Sequence, residues 1–218
     1  MRKVVITISD EEAPTIEEFD GILTGLKKRV SFYELAMLFA EYVNSENQLL
    51  VALPKLPNCN IVGMKVYSNR ADFMVFLPAQ IRPVIYYNDV FNVGFPNLIM
   101  VIGISNNGVV ESKIFAVKED SPDSIQGETT LFHYPYSNVY PNGDICWGNF
   151  SLPKVDVTEL DQVVRLFFAL PNTDDLFLNR AYQKSYREFL MQWIETPFDN
   201  SFLIPTNMTY EHLFKKGE

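Results

Sequence analysis

The chain has 218 residues, 47% of them apolar and 14% aromatic, enough to bury one sizeable core. Its net charge of −9 argues against nucleic acid as a general partner, since phosphate binding needs a basic face, and the one dense basic cluster, "LKKRV" at Leu26–Val30, reads as a solvated turn. No apolar run approaches the roughly 20 residues of a membrane span, and that of the opening "MRKVVITISDEEAP" is too short for a signal-peptide core, so no membrane association and a cytoplasmic location are expected.

Residues 3–8, "KVVITI", read as a strand. A helix is expected around Pro14–Leu26, weakened by Gly21 and Gly25. Ser31 and Glu34 have capping-box spacing ahead of Leu35, Leu38, Phe39 and Tyr42, which recur at helical spacing and predict a helix over Ser31–Val43. "LLVALP", "NIVGMKVY", "ADFMVFLP" and "RPVIYY" are short β-rich runs punctuated by Pro and Asn. Two further strands flank Asn107-Gly108, a strong hairpin signal. After residue 118 an irregular segment of some 35 residues follows, longer than a compact domain usually keeps without a use for it. "ELDQVVRLFFAL" then places Leu160, Val163, Val164 and Phe167 on one helical face, with Thr158 and Asp161 as capping residues. One last helix over Arg180–Glu195 has Tyr182, Tyr186, Phe189, Leu190 and Trp193 as its core stripe. The expected class is α+β: an antiparallel β-meander flanked by an N-terminal helix and C-terminal helices. Residues 1–48 read as a strand and helical extension packed on the core, 49–195 as the main domain, and 196–218 as a C-terminal tail.

Two cysteines and two histidines, far apart, offer no zinc-ligand spacing, so neither metal nor cofactor is expected. Cys59, beside a strand, reads as structural. Cys146 is different: in "YSNVYPNGDICWGN" it follows an Asn142-Gly143 turn and lies eight residues beyond Asn138. A thiol on a rigid, reachable loop can carry an acyl group as a thioester, and an Asn amide can stabilise the oxyanion formed on attack.

This segment resembles the active-site segment of ubiquitin-conjugating (E2) enzymes, in which an Asn precedes the cysteine by eight residues across a Gly-containing turn. Tyr140, Asn142, Gly143 and Ile145 also fall where that family prefers or tolerates them, while Tyr136 and Ser137 replace its His and Pro, and Trp147 its Leu. Downstream, "PNTDDLFLNRAYQKSYREF" resembles the family's Pro-Asn-x-Asp-Asp loop and following helix, through Pro171, Asn172, Asp174, Asp175 and Leu176. "FMVFLPAQIRPVIYY" and "VGFPNLIMVIGI" are more similar to prokaryotic E2 family D, which includes protein B of the PRTRC plasmid systems.

The resemblance implies an E2 (UBC-like) fold over 49–195 and an acyl transferase that takes a ubiquitin-like protein from an E1-like activating enzyme. Cys146 would carry the thioester, Asn138 would serve as oxyanion donor, and Asp175 would condition the incoming lysine, with Asp174 as fallback. Tyr136, Trp147 and Asp174 are the expected binding residues, and a JAB-type metalloprotease is a further expected partner. A non-catalytic E2-fold module that binds a ubiquitin-like protein is the alternative. Trp147 fits either a partner contact or a plug anchoring the loop. His133, 13 residues before Cys146, raises a Cys/His hydrolase, although no third orienting group is evident.

Overall fold

The structure, a computed structural model, describes residues 2–7, 14–20, 23–24, 27–31, 34–35, 60–66, 70–105, 108–152, 154–155 and 160–214. Near the N-terminus a small antiparallel sheet forms from β1 (Arg2–Thr7), β2 (Thr15–Asp20), β3 (Leu23–Thr24) and β4 (Lys28–Arg29). β2 pairs with β1 in an unbroken register from Thr7↔Thr15 to Arg2↔Asp20, and also with β3 and β4. Strands therefore stand where a helix was expected over Pro14–Leu26. The β-branched run of β1 offers a ladder that satisfies β2's backbone, and Gly21 and Gly25 lie outside the described residues. The capping box at Ser31 forms as expected: Ser31 N–H donates to Glu34 Oε2 at 2.8 Å and Glu34 N–H to Ser31 Oγ at 3.1 Å. The rest of the helix expected to Val43, the "LLVALP" run and Cys59 lie outside the described residues.

The main body is built on β5 (Asn60–Val66), β6 (Ala71–Leu77), β9 (Asn97–Ser105), β10 (Gly108–Val117), β11 (Thr130–Phe132) and β12 (Pro205–Thr209). They form one antiparallel sheet in the order β12-β11-β10-β9-β6-β5. The expected hairpin is present, with Ser105 opposite Gly108. A plain meander is not: β7 (Gln80–Tyr86) and β8 (Asp89–Phe95) leave the sheet as a separate hairpin, and β6 pairs directly with β9. Buried Asn97 pins the corner, accepting from Ala79 N–H at 2.6 Å and donating to the Glu119 carbonyl at 3.0 Å. Polar groups at such a corner need partners of this kind once they leave water.

Every residue of β6 is buried because both faces of the sheet are covered. Phe73, Val75, Met100 and Ile114 face one apolar cluster, shared with the helices and the β7–β8 hairpin. Met74, Phe76, Val101 and Phe115 face a second, closed by Tyr210, whose hydroxyl donates to the Val62 carbonyl at 2.9 Å. The continuous apolar run "FMVFL", residues 73–77, is what alternating side chains require when both sides are dry.

α1 (Leu160–Phe168) buries the four residues predicted for its inner face. The single helix expected over Arg180–Glu195 is split into α2 (Asn179–Tyr182) and α3 (Tyr186–Gln192). Gln183 adopts φ 54°, and Ser185 restarts the helix through a reciprocal capping box with Glu188, which outcompetes continuation of the first segment. The stripe is core, with Tyr186, Phe189, Leu190 and Trp193 buried. Residues 196–214 are structured: β12 pairs with β11, so the main sheet reaches past residue 195. The architecture is α+β. Among the described residues no helix is long and apolar enough to cross a membrane.

Candidate active site

The loop bearing Cys146 folds back on itself. Cys146 N–H donates to the Asn138 carbonyl at 2.8 Å, and Val139 bridges Ile145. The turn between them is closed by Tyr140 N–H to Asp144 O at 2.9 Å and Gly143 N–H to Tyr140 O at 2.8 Å. Gly143 sits at φ +88°, and a Cβ there would lie 2.2 Å from Cζ of buried Phe115, so glycine is required both for backbone conformation and for space.

The loop docks on β10. Ile114 N–H donates to the Gly143 carbonyl at 2.9 Å, and Ile145 N–H to the Ser112 carbonyl at 3.1 Å. A chain of ion pairs reinforces it: Arg70 contacts Asp72 and Glu111, while Lys113 contacts Glu111 at 3.5 Å and Asp144 at 2.5 Å. Burial pushes the Glu111 carboxyl up, but hydrogen bonds and charge contacts with Arg70 and Lys113 outweigh this and hold it below its usual range. Asp144 in turn accepts from the Asn142 amide at 2.6 Å.

The Pro171–Leu176 loop lies against this one. Asn138 Nδ2 donates to the Pro171 carbonyl at 3.0 Å, and Ser137 Oγ donates to the Asp175 carbonyl at 2.8 Å. Beneath them, the buried Tyr186 hydroxyl donates to Asn172 Oδ1 at 2.8 Å, and Asn172 N–H donates to the Ile85 carbonyl at 2.7 Å. Asn138 adopts φ 67°, a left-handed conformation that Asn tolerates better than most residues. An amide nitrogen carries two hydrogens; one is held by Pro171, and the second has no acceptor among the described residues.

The two acids of that loop are not equivalent. Asp174 is gripped by Tyr86 Oη at 2.9 Å and Tyr87 Oη at 3.2 Å. Burial, and then this hydrogen bond, pushes the Tyr86 hydroxyl up to about 12; for exposed Tyr87 the bond to Asp174 is the main cause of a rise. Asp175 is exposed, and its carboxylate accepts only from the Thr173 hydroxyl, at 3.2 Å, among the described residues.

Cys146 is a free, half-buried thiol. The expected residues Cys146, Asn138 and Asp175 thus lie on two loops tied together by Ser137 and Asn138. Tyr136 is 1% exposed, its ring packed on Phe95 and Phe189 and its hydroxyl on the Gly94 carbonyl. Its side chain is core and has no surface to offer a partner. Trp147 is anchored by Nε1–H to Ser112 Oγ at 2.7 Å and packs edge-on to Phe167, while its remaining surface lines an open groove of about 440 Å³ with Val109, Val110 and Leu152. His133 is partly buried against the Pro141 carbonyl. Burial pushes its pKa down against that contact, and no hydrogen bond joins it to Cys146 among the described residues. The Tyr86–Tyr87 pair had no motif to announce it, and the bracing roles of Ser137, Asn172 and Tyr186 were not foreseen; all act through contacts 14 to 88 positions apart in sequence.

The site is thus a free thiol on a Gly-turn loop of an α+β domain, braced by an Asn and an Asp-bearing loop. The family model described as prokaryotic E2 family D matches residues 36–206, and the chain belongs to that family. Neither the curated proteins nor the solved structures compared with the chain match it.

Proposed function

We propose that the protein is an E2-type conjugating enzyme for a ubiquitin-like protein. The observation that carries the reading, in a member of this family, is the pair of ties Asn138–Pro171 and Ser137–Asp175, which hold the Asp175-bearing loop against the Cys146 loop. In loading, Cys146 sulfur attacks the thioester carbonyl of the modifier on an E1-like enzyme; a new C–S bond forms and the E1 thiolate leaves. In discharge, a lysine amine attacks the Cys146 thioester. A C–N bond forms, the C–S bond breaks with its electron pair going to sulfur, and the ammonium proton passes to Asp175 or to water. Asn138, oriented through Pro171, offers its second N–H to the oxyanion of the tetrahedral intermediate. Asp175 orients the lysine, whereas Asp174, held by two tyrosines, fixes the loop. Trp147 steadies the thiol loop and presents its outer surface to the modifier. A JAB-type metalloprotease that removes the modifier would complete the system, of the kind carried by PRTRC plasmids.

The test is the intact mass of the protein after incubation with an E1-like enzyme, a ubiquitin-like protein from the same genome and ATP. An adduct of one modifier mass, lost on thiol reduction and absent from Cys146→Ala, is expected. Tight binding without an adduct would instead establish the non-catalytic scaffold.

A further inference from the structure

The hydroxyl of Tyr140 lies 3.7 Å from Cys146 Sγ and is placed to donate to it, within the longer reach of hydrogen bonds to sulfur. Tyr140 opens the tight turn, and its backbone is fixed at both ends, N–H to Asp144 and carbonyl to Gly143 N–H. The turn itself is clamped to β10 and to Lys113. A side chain leaving such a turn starts from a set direction, so the contact with sulfur follows from a rigid base. Yet the ring is 46% exposed, more than a tyrosine serving as packing would be. Among the described residues the sulfur is the partner of its hydroxyl.

Resting on the conjugating reading above, we infer that Tyr140 is a further catalytic residue: its O–H donates to Cys146 Sγ and stabilises the thiolate that leaves when the thioester is passed to an amine. As the C–S bond breaks, its electron pair collects on sulfur, and a donor already within reach offsets the developing charge without reorganisation. Asn138 serves the oxygen of the same intermediate and Tyr140 the sulfur, so the two divide the charge between them. The phenol keeps its proton for this role. Its hydrogen bond to the sulfur, and the sulfur's charge, hold the Tyr140 hydroxyl above its ordinary value, so at neutral pH it is a donor and not a phenolate.

Tyr140→Phe keeps the ring and removes only the donor. The first readout needs no partner protein: the pH profile of iodoacetamide alkylation, resolved by peptide mass so that Cys59 is an internal reference. Alkylation follows the thiolate. Loss of the hydrogen bond to sulfur is expected to slow Cys146 alkylation about three- to tenfold over the profile, with Cys59 unmoved. The second readout is single-turnover discharge of the thioester to free lysine, expected to slow by about the same factor, since both reflect the same hydrogen bond to sulfur. An unmoved Cys146 profile would overturn the inference, even if discharge slowed, because Tyr140 would then be acting on the amine. A moved profile in a protein whose wild type forms no thioester would sink the conjugating reading while leaving the Tyr140–thiolate bond supported.

Discussion

Replacing Gly143 by Ala tests whether the thiol loop is held by the sheet beneath it. Two costs add. The residue sits at φ +88°, where an L side chain pays about 1–2 kcal/mol. The new Cβ would also fall 2.2 and 2.5 Å from Cζ and Cε1 of Phe115, whose ring is 1% exposed and has no free side to retreat to. Overpacking of this kind costs about 1–3 kcal/mol. The sum, about 2–5 kcal/mol, is a large share of the roughly 5–15 kcal/mol that holds a domain folded. With a urea m-value near 3 kcal/mol/M, the denaturation midpoint should fall by about 0.7–1.7 M. Gly148→Ala is the control: it too has a positive φ, +57°, but its Cβ would meet nothing within 4 Å, so only the backbone cost applies. Urea titration followed by tryptophan fluorescence measures both. If Gly143→Ala costs no more than Gly148→Ala, the Phe115 contact does not seat the loop and the reasoning fails. A partial recovery of Gly143→Ala in a Phe115→Leu background would identify the steric share directly.

Asn138→Ala should slow discharge to lysine by about 10²–10³ while loading of Cys146 changes far less; equal loss in both steps would remove the oxyanion role. Lys113→Met should lower stability by about 1 kcal/mol or less, because its partners are partly exposed, and the difference from wild type should shrink in 1 M NaCl; a salt-independent loss would point to packing instead. His133 has a folded-state pKa below its unfolded value, since burial disfavours the imidazolium more than the Pro141 carbonyl favours it. The unfolded chain therefore binds the extra proton first, and stability falls as pH drops below about 6.5, levelling out once the folded histidine has protonated too. Urea midpoints of His133→Asn at pH 7.5 and 5.5 should differ less than those of the wild type, and an unchanged difference would contradict the assignment.

Several local signals in the sequence agree with the structure. The inner face of α1, the hairpin at Gly108, the capping box at Ser31 and the Asn138-to-Cys146 loop all depend on neighbours within a dozen positions. Three features went unread, two of them set by longer-range pairing and one, the capping box at Ser185, by a local spacing that the continuous apolar stripe overshadowed. Strand β2 stands where a helix was expected because β1 offers it a ladder. The Arg180–Glu195 helix breaks at Gln183 because Ser185 and Glu188 cap a second segment more favourably. The β7–β8 hairpin leaves the sheet because Asn97 can satisfy both edges of the corner, one 18 and the other 22 positions away. Within the site, residue types at the thiol loop could be read, but the grip of Tyr86 and Tyr87 on Asp174 could not. Nothing in "PNTDD" distinguishes one aspartate from the other; a hairpin tip 87 and 88 positions upstream does.

The pairing of β12 with β11 bears on when the Cys146 loop becomes ordered. β11 meets β10 at a single register pair, Ala116↔Phe132, and its other edge is completed by Thr209 and Pro205. The strand that leads into the Cys146 loop is therefore finished by residues translated some 60 positions after the cysteine. Chains fold progressively as they are made, N-terminal parts first. During synthesis β9 and β10 can pair early, yet the segment that aims the thiol stays half-supported until β12 has emerged. Ordering of the Cys146 loop therefore waits on the emergence of residues 205–209, and a nascent chain that has just exposed Cys146 holds it on a loop whose neighbouring strand still lacks its outer partner.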